Sequence, residues 1–307
     1  MTTIFPMVET RVLAQLQLIN SQPYGLQSPL RKPTTSKVLR RELSIYRNQQ
    51  CGSRPIHLRT VRLKSKLSSA SICGGVNRLG NPKTLFTMAP SWTHLVRFEA
   101  IEDGRIHLGQ LKNTNLDVGL ALEKGDVVQA YRINGDIFTG TVTSALLTVR
   151  RVFSPVTPEQ CTYIRCVGLN YHDHAKEAQM SPPKVPILFT KPRTSLTDPY
   201  PSTITIPKIA QDGTSDYEAE LCVVIGKSGR DIPQEDAYDH ILGYTISNDV
   251  SARNLQFMTT QWSFSKGFDS SCPVGPTLVS AAAIRDPQGL GIEARHNGVV
   301  VQSGRTR

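Results

Sequence analysis

One segment constrains the fold of this chain more than any other, the run from Asp216 to Gly226 with the sequence DYEAELCVVIG. It places two carboxylates, Glu218 and Glu220, at the head of an apolar stretch that is typical of a buried β-strand. Because successive strand residues face opposite sides, the two carboxylates project from the same face. Two like charges on a buried face repel, and each also loses solvation. A divalent cation would relieve both costs, since hard cations bind carboxylate oxygens.

The same segment also fits an edge strand whose acids meet solvent or lysines. Two features elsewhere favour the metal interpretation. A third acid, Asp249, follows the apolar run 241–247, and a strand end holds a side chain rigidly while letting it reach a site. His174 precedes Glu177 by three residues, so a helical turn would place both on one face. A carboxylate beside an imidazole raises its basicity, as a general base that activates water requires, although such a pair is also a common surface contact.

Lys266 is a further candidate for chemistry. It lies in a loop bounded by Gly and Pro residues, between Phe264 and Phe268. Its ammonium group could stabilise a developing oxyanion. It could equally be a solvated loop charge, and the sequence leaves both interpretations open.

The basic character of the chain belongs to its first part. Residues 1–87 hold 14 of the 35 Lys and Arg residues and two of the 25 acids, a formal charge of +12, so residues 88–307 carry −2. The second part therefore lacks the electrostatic footprint of a nucleic-acid-binding domain. The six cysteines form no CxxC pair, which predicts a reducing compartment without a disulfide framework. No apolar run reaches the length of about 18 residues that predicts a transmembrane helix.

Residues 1–87 differ in composition from the rest of the chain, being rich in Arg and Ser and poor in acids. That composition suits a mitochondrial transit segment. Met88 opens a stretch of different character, so a start at Met88 with an upstream gene-model artefact is an equal alternative. We expect a disordered basic leader, with a mitochondrial location if the leader is genuine and a cytoplasmic one otherwise.

The remaining sequence predicts two domains that are mostly β with few helices, an α+β fold. Residues 92–158 read as a small β subdomain of short strands, with hairpin turns at Asp103-Gly104 and Asn134-Gly135. Residues 160–307 read as the catalytic domain. There the pattern predicts strands at 163–167, 187–190, 203–206, 221–225, 241–247, 274–279 and 294–301, the last with a turn at 297–298. It also predicts helices over 171–178 and 249–256, the second capped by Asp249.

Four motifs occur in order along this second domain. They are GxNYxxHxxE from Gly168, YExELxxVIG from Tyr217, NDVSARxxQ from Asn248 and KGFDxxCPxGP from Lys266. The segment KPRTSL from Lys191 adds a fifth match. In this order and spacing the motifs resemble those of the fumarylacetoacetate hydrolase family, and the similarity runs from about Trp92 to Val301.

The resemblance implies a role for each matched residue. It implies three ligands for Mg²⁺ or Mn²⁺, which are Glu218, Glu220 and Asp249. It implies a dyad on a lid-like helix that orients and deprotonates a water molecule, formed by His174 and Glu177. It further implies contact with substrate oxygens by Lys266 and a supporting role in substrate binding for Arg253 and Gln256.

The resemblance also implies a fold and a set of reactions. Family members share a mixed β-roll, are often dimeric, and act on 2-oxo or β-dicarbonyl acids by C–C hydrolysis, decarboxylation or tautomerisation. We therefore expect a homodimeric, metal-dependent hydrolase that cleaves a C–C bond in acylpyruvate-like β-diketo acids. An oxaloacetate decarboxylase or tautomerase acting in the same site is the alternative.

The sequence departs from the family pattern in three places. Ala219 stands where Gly is common, and Asn254 stands where Asp is common. The larger departure is at Arg307, where the sequence stops before the family's further strands and a TGTP-like loop near the substrate carboxylate. This ending keeps a third alternative open, a truncated and catalytically silent homologue that at most binds a metal or a partner subunit.

Overall fold

The computed structural model describes residues 13–14, 58–61, 90–177, 179, 181, 183–284 and 286–307. Its strands are β1 (Leu13–Ala14), β2 (Leu58–Val61), β3 (His94–Ala100), β4 (Ile106–Leu111), β5 (Gln129–Asn134), β6 (Thr141–Phe153), β7 (Ile164–Gly168), β8 (Ile187–Lys191), β9 (Leu196–Thr197), β10 (Ser215–Asp216), β11 (Ala219–Ile225), β12 (Ile241–Asn248), β13 (Ser251–Ala252), β14 (Cys272–Pro273), β15 (Thr277–Ser280), β16 (Gly291–His296) and β17 (Val299–Arg305). Its α-helices are α1 (Val118–Lys124), α2 (His172–Glu177), α3 (Arg253–Phe257) and α4 (Ser263–Lys266). The prediction of a mostly β chain with few helices is confirmed.

Ten strands form one large sheet in the order β4-β5-β6-β3-β15-β12-β11-β1-β7-β8. Strand β3 of the predicted small subdomain pairs with β15, so the sheet runs through both predicted domains. A second sheet has the order β17-β16-β2, and two further pairs join β10 to β13 and β14 to β9. Because one sheet contains strands from both sides of residue 159, the strand order does not test the predicted boundary there, and that boundary stays a prediction.

Two apolar clusters form the main core. The first lies between the N-terminal strands and helix α1 and includes Val96, Phe98, Val118 and Val149. The second joins the small subdomain to the catalytic part, because it contains Trp92 and Leu95 together with four buried cysteines, which are Cys161, Cys166, Cys222 and Cys272. All four of these thiols are free.

Helix α1 was not predicted, although its sequence carries both end signals. The Asp117 carboxylate caps the helix by accepting a hydrogen bond from the Leu120 amide at 3.0 Å. Gly125 ends it with a φ of 78°, a left-handed conformation that favours glycine.

Two further predictions of local structure are wrong. Residues 203–206 form no strand, because the Thr205 amide donates to the Ser270 hydroxyl at 2.9 Å and not to a neighbouring strand. The helix predicted from Asp249 begins at Arg253, after the short strand β13. Asp249 caps no helix, because its carboxylate faces two buried lysines.

Two short pieces of the basic leader lie among the described residues. Strand β1 pairs with Val223 and Val224 of β11 on one side and with Ile164 and Arg165 of β7 on the other. Strand β2 pairs with β16. The rest of residues 1–87 lies outside the described part of the chain, so the prediction of a disordered leader stays a prediction for it. Among the described helices, none combines the length and the apolar character needed to cross a membrane.

Candidate active site

The register of two neighbouring strands brings the three predicted carboxylates to one end of the large sheet. Strands β11 and β12 are antiparallel, with Ala219 opposite Asn248. The Asp249 amide donates to the Glu218 carbonyl oxygen at 2.9 Å, which extends the pairing by one residue. Glu218, Glu220 and Asp249 therefore lie together, although Asp249 is about 30 residues away from the two glutamates in the sequence.

The ammonium group of Lys266 lies between two of these carboxylates. Its Nζ is 2.8 Å from Glu218 Oε2 and 2.9 Å from Asp249 Oδ2, and it also donates to the Ser251 hydroxyl at 2.7 Å. Burial alone would lower the pKa of Lys266, but the Asp249 and Glu218 carboxylates outweigh it and raise that pKa. Lys266 is therefore a buried, charged residue of the site and not a solvated loop charge.

A second buried lysine, Lys191, flanks Asp249 on the other side. Its Nζ is 2.9 Å from Asp249 Oδ1, and it donates to the carbonyl oxygens of Val250, Lys266 and Ser271. This buried carboxylate oxygen accepts no hydrogen bond among the described residues, so its contact with the ammonium is an ion pair. Lys191 thereby ties the strand end at Asp249 to Lys266, which is the last residue of helix α4 and not part of a loop as the sequence predicted.

Arg253, the first residue of helix α3, contacts the carboxylates of Asp216 and Glu218. Its guanidinium donates to Asp216 Oδ2 at 2.8 and 2.9 Å, to Glu218 Oε1 at 2.6 Å and to Gln256 Oε1 at 2.9 Å. Burial alone would raise the pKa of Glu218, but Lys266 and Arg253 together hold it well below its usual range. Arg253 and Gln256 thus contact the carboxylate cluster directly. Their predicted role in substrate binding stays untested.

Glu220 is in a different electrostatic position from Glu218. Its carboxylate accepts a hydrogen bond from the Tyr171 hydroxyl at 2.6 Å. Burial, followed by the neighbouring charges of Glu218 and Asp249, raises the pKa of Glu220 well above its usual value. With Asp216 included, four carboxylates meet three cationic side chains, which are Lys191, Arg253 and Lys266. The formal charge of this group is therefore −1.

The donor chemistry of this cluster fits Mg²⁺ or Mn²⁺. Three carboxylates are hard oxygen ligands, and one buried oxygen of Asp249 accepts no hydrogen bond among the described residues. Burial and the like charges of Glu218 and Asp249 raise the pKa of Glu220, and a bound cation would oppose both effects. The side-chain arrangement differs from a metal centre, however. Among the described residues no group of three His, Cys, Asp or Glu is arranged to hold a metal ion. Lys266 occupies the space between Glu218 and Asp249.

The predicted dyad is not assembled in this structure. His174 and Glu177 both lie on helix α2, as predicted. In the described part of the chain no hydrogen bond or ion pair joins the two side chains, and none links either of them to the carboxylate cluster. Glu177 is exposed and His174 is half-buried, so the role of the pair stays a prediction.

Sequence reasoning missed several residues that complete the site. Lys191, Asp216 and Tyr171 each stand inside a segment that the sequence had singled out, but no spacing rule indicated their partners. Ser251 holds Lys266, and it belongs to the NDVSARxxQ motif. Each of these contacts joins residues that are distant in sequence, so a motif alone does not reveal them.

Comparison with known proteins gives consistent matches. Residues 163–307 match the model of the fumarylacetoacetate (FAA) hydrolase C-terminal family. The chain is 45% identical over 193 residues to a caffeoylpyruvate hydrolase of Neonothopanus nambi, covering 60% of this chain and 66% of that protein. It is 46% identical over 158 residues to a mitochondrial oxaloacetate tautomerase of Xenopus laevis, covering 50% of this chain and 48% of that protein. The chain thus spans about half to two thirds of the length of these curated relatives.

Solved structures share the fold. A 2-hydroxyhepta-2,4-diene-1,7-dioate isomerase of Mycobacterium marinum superposes with a TM-score of 0.56 at 30% identity, covering 70% of this chain and 75% of that one. A fumarylacetoacetate hydrolase of Exiguobacterium antarcticum superposes with a TM-score of 0.51 at 29% identity, covering 69% and 75%.

Proposed function

Because this chain belongs to the fumarylacetoacetate hydrolase family, we propose that it is a metal-dependent enzyme that hydrolyses a C–C bond in acylpyruvate-like β-diketo acids. The observation that carries the proposal is the buried cluster of Glu218, Glu220 and Asp249 beside the Lys266 ammonium. The relative of Neonothopanus nambi, a caffeoylpyruvate hydrolase by name, supports this substrate class.

The three carboxylates would hold Mg²⁺ or Mn²⁺, with Lys266 displaced toward the substrate. Such an ion supplies Lewis-acid polarisation of the carbonyl oxygens that a 2-oxo acid presents. Lys266 adds a fixed positive charge beside the same oxygens, and loss of one preorganised group of this kind costs about 10²–10³ in rate.

His174 supplies the general base of the proposed hydrolysis. Its imidazole takes a proton from water, the resulting hydroxide adds to the distal acyl carbonyl, and the bond from that carbon to C3 of the pyruvate unit breaks. The electron pair of that bond stays on the pyruvate fragment, which takes up a proton at C3. The products are a carboxylic acid and pyruvate, and the only co-reactant is water. Glu177 would orient His174 after a rotation that joins their side chains.

Oxaloacetate tautomerisation is the second candidate. The observation that favours it is the unassembled dyad, because keto–enol exchange moves a proton between C3 and the keto oxygen and needs no attacking water. Two kinds of named relatives support the two candidates about equally, since the tautomerase of Xenopus laevis is 46% identical over its matched segment.

One assay series separates these candidates. The purified chain would be given Mn²⁺ and either acetylpyruvate, with pyruvate release measured, or enol-oxaloacetate, with its ultraviolet absorbance followed. We expect metal-dependent pyruvate release. Loss of enol absorbance without pyruvate release would favour the tautomerase, and Mn²⁺ binding without either reaction would favour a catalytically silent homologue.

Two variants assign the roles of the residues. Glu218→Gln should abolish metal-dependent turnover and weaken Mn²⁺ binding measured by calorimetry. His174→Ala should keep Mn²⁺ binding and lose pyruvate release. Hydrolysis by His174→Ala at the wild-type rate would show that the general-base assignment is wrong.

The proposal also includes a homodimer and a mitochondrial location. Mitochondrial oxaloacetate tautomerases among the relatives support the location. Sedimentation velocity tests the dimer, and microscopy of a fusion protein that keeps residues 1–87 tests the location.

A further inference from the structure

Strand β17 reaches the segment that carries Glu218 and Glu220 through the Gln302 side chain. The Ala219 amide donates to Gln302 Oε1 at 2.8 Å, and Gln302 Nε2 donates to the Ala219 carbonyl oxygen at 3.0 Å. Ala219 is fully buried and lies between Glu218 and Glu220. The Gln302 amide therefore holds the main chain between the two carboxylates by two hydrogen bonds, a contact that we call the grip on Ala219.

In the described part of the chain, the Gln302 amide takes the place of a strand neighbour beside Ala219. The Glu218 carbonyl oxygen accepts a hydrogen bond from the Asp249 amide, next to the end of β12. The main-chain groups of the next residue, Ala219, therefore point to the other side of β11. A primary amide carries a donor and an acceptor as a peptide group does, so Gln302 satisfies both groups at once. Two residues further along β11, the Leu221 amide donates a hydrogen bond to the Tyr171 hydroxyl at 3.1 Å. Buried main-chain groups that lose such partners are costly, so the grip resists displacement.

The far end of the same strand holds the helix that carries His174. The Arg305 amide donates to Asp173 Oδ2 at 3.2 Å, and the His172 amide donates to the Arg307 main-chain oxygen at 3.2 Å. Thr306 anchors this end, because its hydroxyl donates to the Pro287 carbonyl oxygen at 2.6 Å. The start of helix α2 is thus fixed to the end of β17.

We propose that β17 is a positioning strand that sets the distance between the carboxylates of β11 and helix α2, with Gln302 as the positioning residue. Gln302 and Arg305 are three residues apart, about 10 Å along an extended strand. A strand of fixed length between two anchored contacts defines this separation better than loops would. The inference rests on the proposed function for the role of the carboxylates, whereas the grip on Ala219 is independent of it.

Three variants of the full chain test the inference. Gln302→Met keeps the length of the side chain and removes both hydrogen bonds, whereas Gln302→Glu keeps only the acceptor for the Ala219 amide. Gln288→Met is the matched control, because the Gln288 side chain forms no hydrogen bond among the described residues. Hydrogen exchange of the Ala219 amide and the affinity for Mn²⁺ are measured for each.

In Gln302→Met we expect faster exchange at Ala219 and an Mn²⁺ affinity that falls by about 10–100-fold, the usual effect of removing a group that orients metal ligands. Gln302→Glu should retain exchange protection, and Gln288→Met should match the wild type.

Unchanged exchange and unchanged affinity in a folded Gln302→Met would overturn the inference. If Gln302→Met does not fold, loss of protection in Gln302→Glu would overturn it instead. If the wild type binds no Mn²⁺, the proposed function fails, and the exchange result alone decides whether Gln302 grips Ala219.

Discussion

At the scale of single residues, Lys191 shows how far the site depends on buried charge. Its side chain is fully buried, and its ammonium contacts Asp249 and three carbonyl oxygens. A buried ammonium is tolerated only when charge and hydrogen bonds offset its lost solvation. Lys191 meets this condition, and it also supplies positive charge to Asp249 opposite Lys266.

Replacing Lys191 with methionine should therefore destabilise the fold. The Asp249 carboxylate would keep only Lys266 as a cationic neighbour among the described residues, and three carbonyl oxygens would lose the hydrogen bond from Lys191. We expect Lys191→Met to lower the free energy of unfolding by about 3–5 kcal/mol, as removal of one partner of a buried ion pair does. Urea denaturation measures the loss, with the exposed Lys227→Met as control. A loss equal to that of the control would contradict the role of Lys191.

Cys161 gives the fold a sensitivity to alkaline pH. Burial raises the pKa of its thiol from its ordinary value of 9.0 to about 11. The unfolded chain then loses this proton at lower pH than the folded chain does. The stabilising difference is complete below pH 9 and is lost as the pH rises toward 11. Urea midpoints at pH 8 and 10.5 should fall less in Cys161→Ala than in the wild type, and an equal fall would refute this account.

At the scale of elements, helix α4 is seated by close contact with strand β7. A Cβ atom on Gly168, the last residue of β7, would lie 2.2 Å from Trp262 Cζ3. Trp262 directly precedes α4, and its ring packs edge-on against Phe189. The glycine therefore lets the helix that ends in Lys266 approach the sheet.

Gly168→Ala should push Trp262 outward and move Lys266 with it. We expect a loss of about 1–3 kcal/mol in stability, typical of overpacking, together with reduced turnover. Thermal denaturation and the assay series above measure both effects. Gly119→Ala is the matched control, because a Cβ on that glycine of helix α1 would make only an ordinary contact, 3.6 Å from Asp117 Oδ1, and alanine favours helix there. Equal behaviour of the two variants would show that the contact with Trp262 does not seat α4.

The success of sequence reasoning at this scale depended on whether a local rule was sufficient. The turn at Asn297-Gly298 was predicted from its residue types, since Asn and Gly tolerate the positive φ that tight turns need. Both residues adopt it, with φ angles of 50° and 82°. The segment 203–206 has the alternation of a strand but no strand beside it. Alternation indicates a half-buried surface, whereas pairing depends on what the rest of the chain places next to it.

At the scale of the whole molecule, the chain divides by charge. The leader carries +12 and the remainder −2. Of the two described leader segments, β1 pairs with Val223 and Val224 of β11, away from the acids that flank Ala219. Strand β2 pairs with Ala294, Arg295 and His296 of β16 and contributes no side chain to the described contacts of the carboxylates.

Deletion of residues 1–87 should therefore separate stability from metal binding. We expect unchanged Mn²⁺ affinity, because the carboxylates keep all of their described partners. We expect lower thermal stability and more aggregation, because the edges of β11 and β7 lose a neighbour. Calorimetric titration and light scattering measure the two quantities. A large loss of Mn²⁺ affinity would mean that the leader belongs to the site.

The sequence by itself determined the family, the mostly β fold and the residue types of the site, because motifs such as YExELxxVIG record local spacing on a strand. Only the tertiary structure decided which charges meet. It placed Lys266 between Glu218 and Asp249, buried Lys191 behind them, and formed no hydrogen bond between His174 and Glu177 among the described residues. It also brought Gln302 to Ala219 across 83 positions. Such contacts follow from strand register and close packing, which no local pattern of residues encodes.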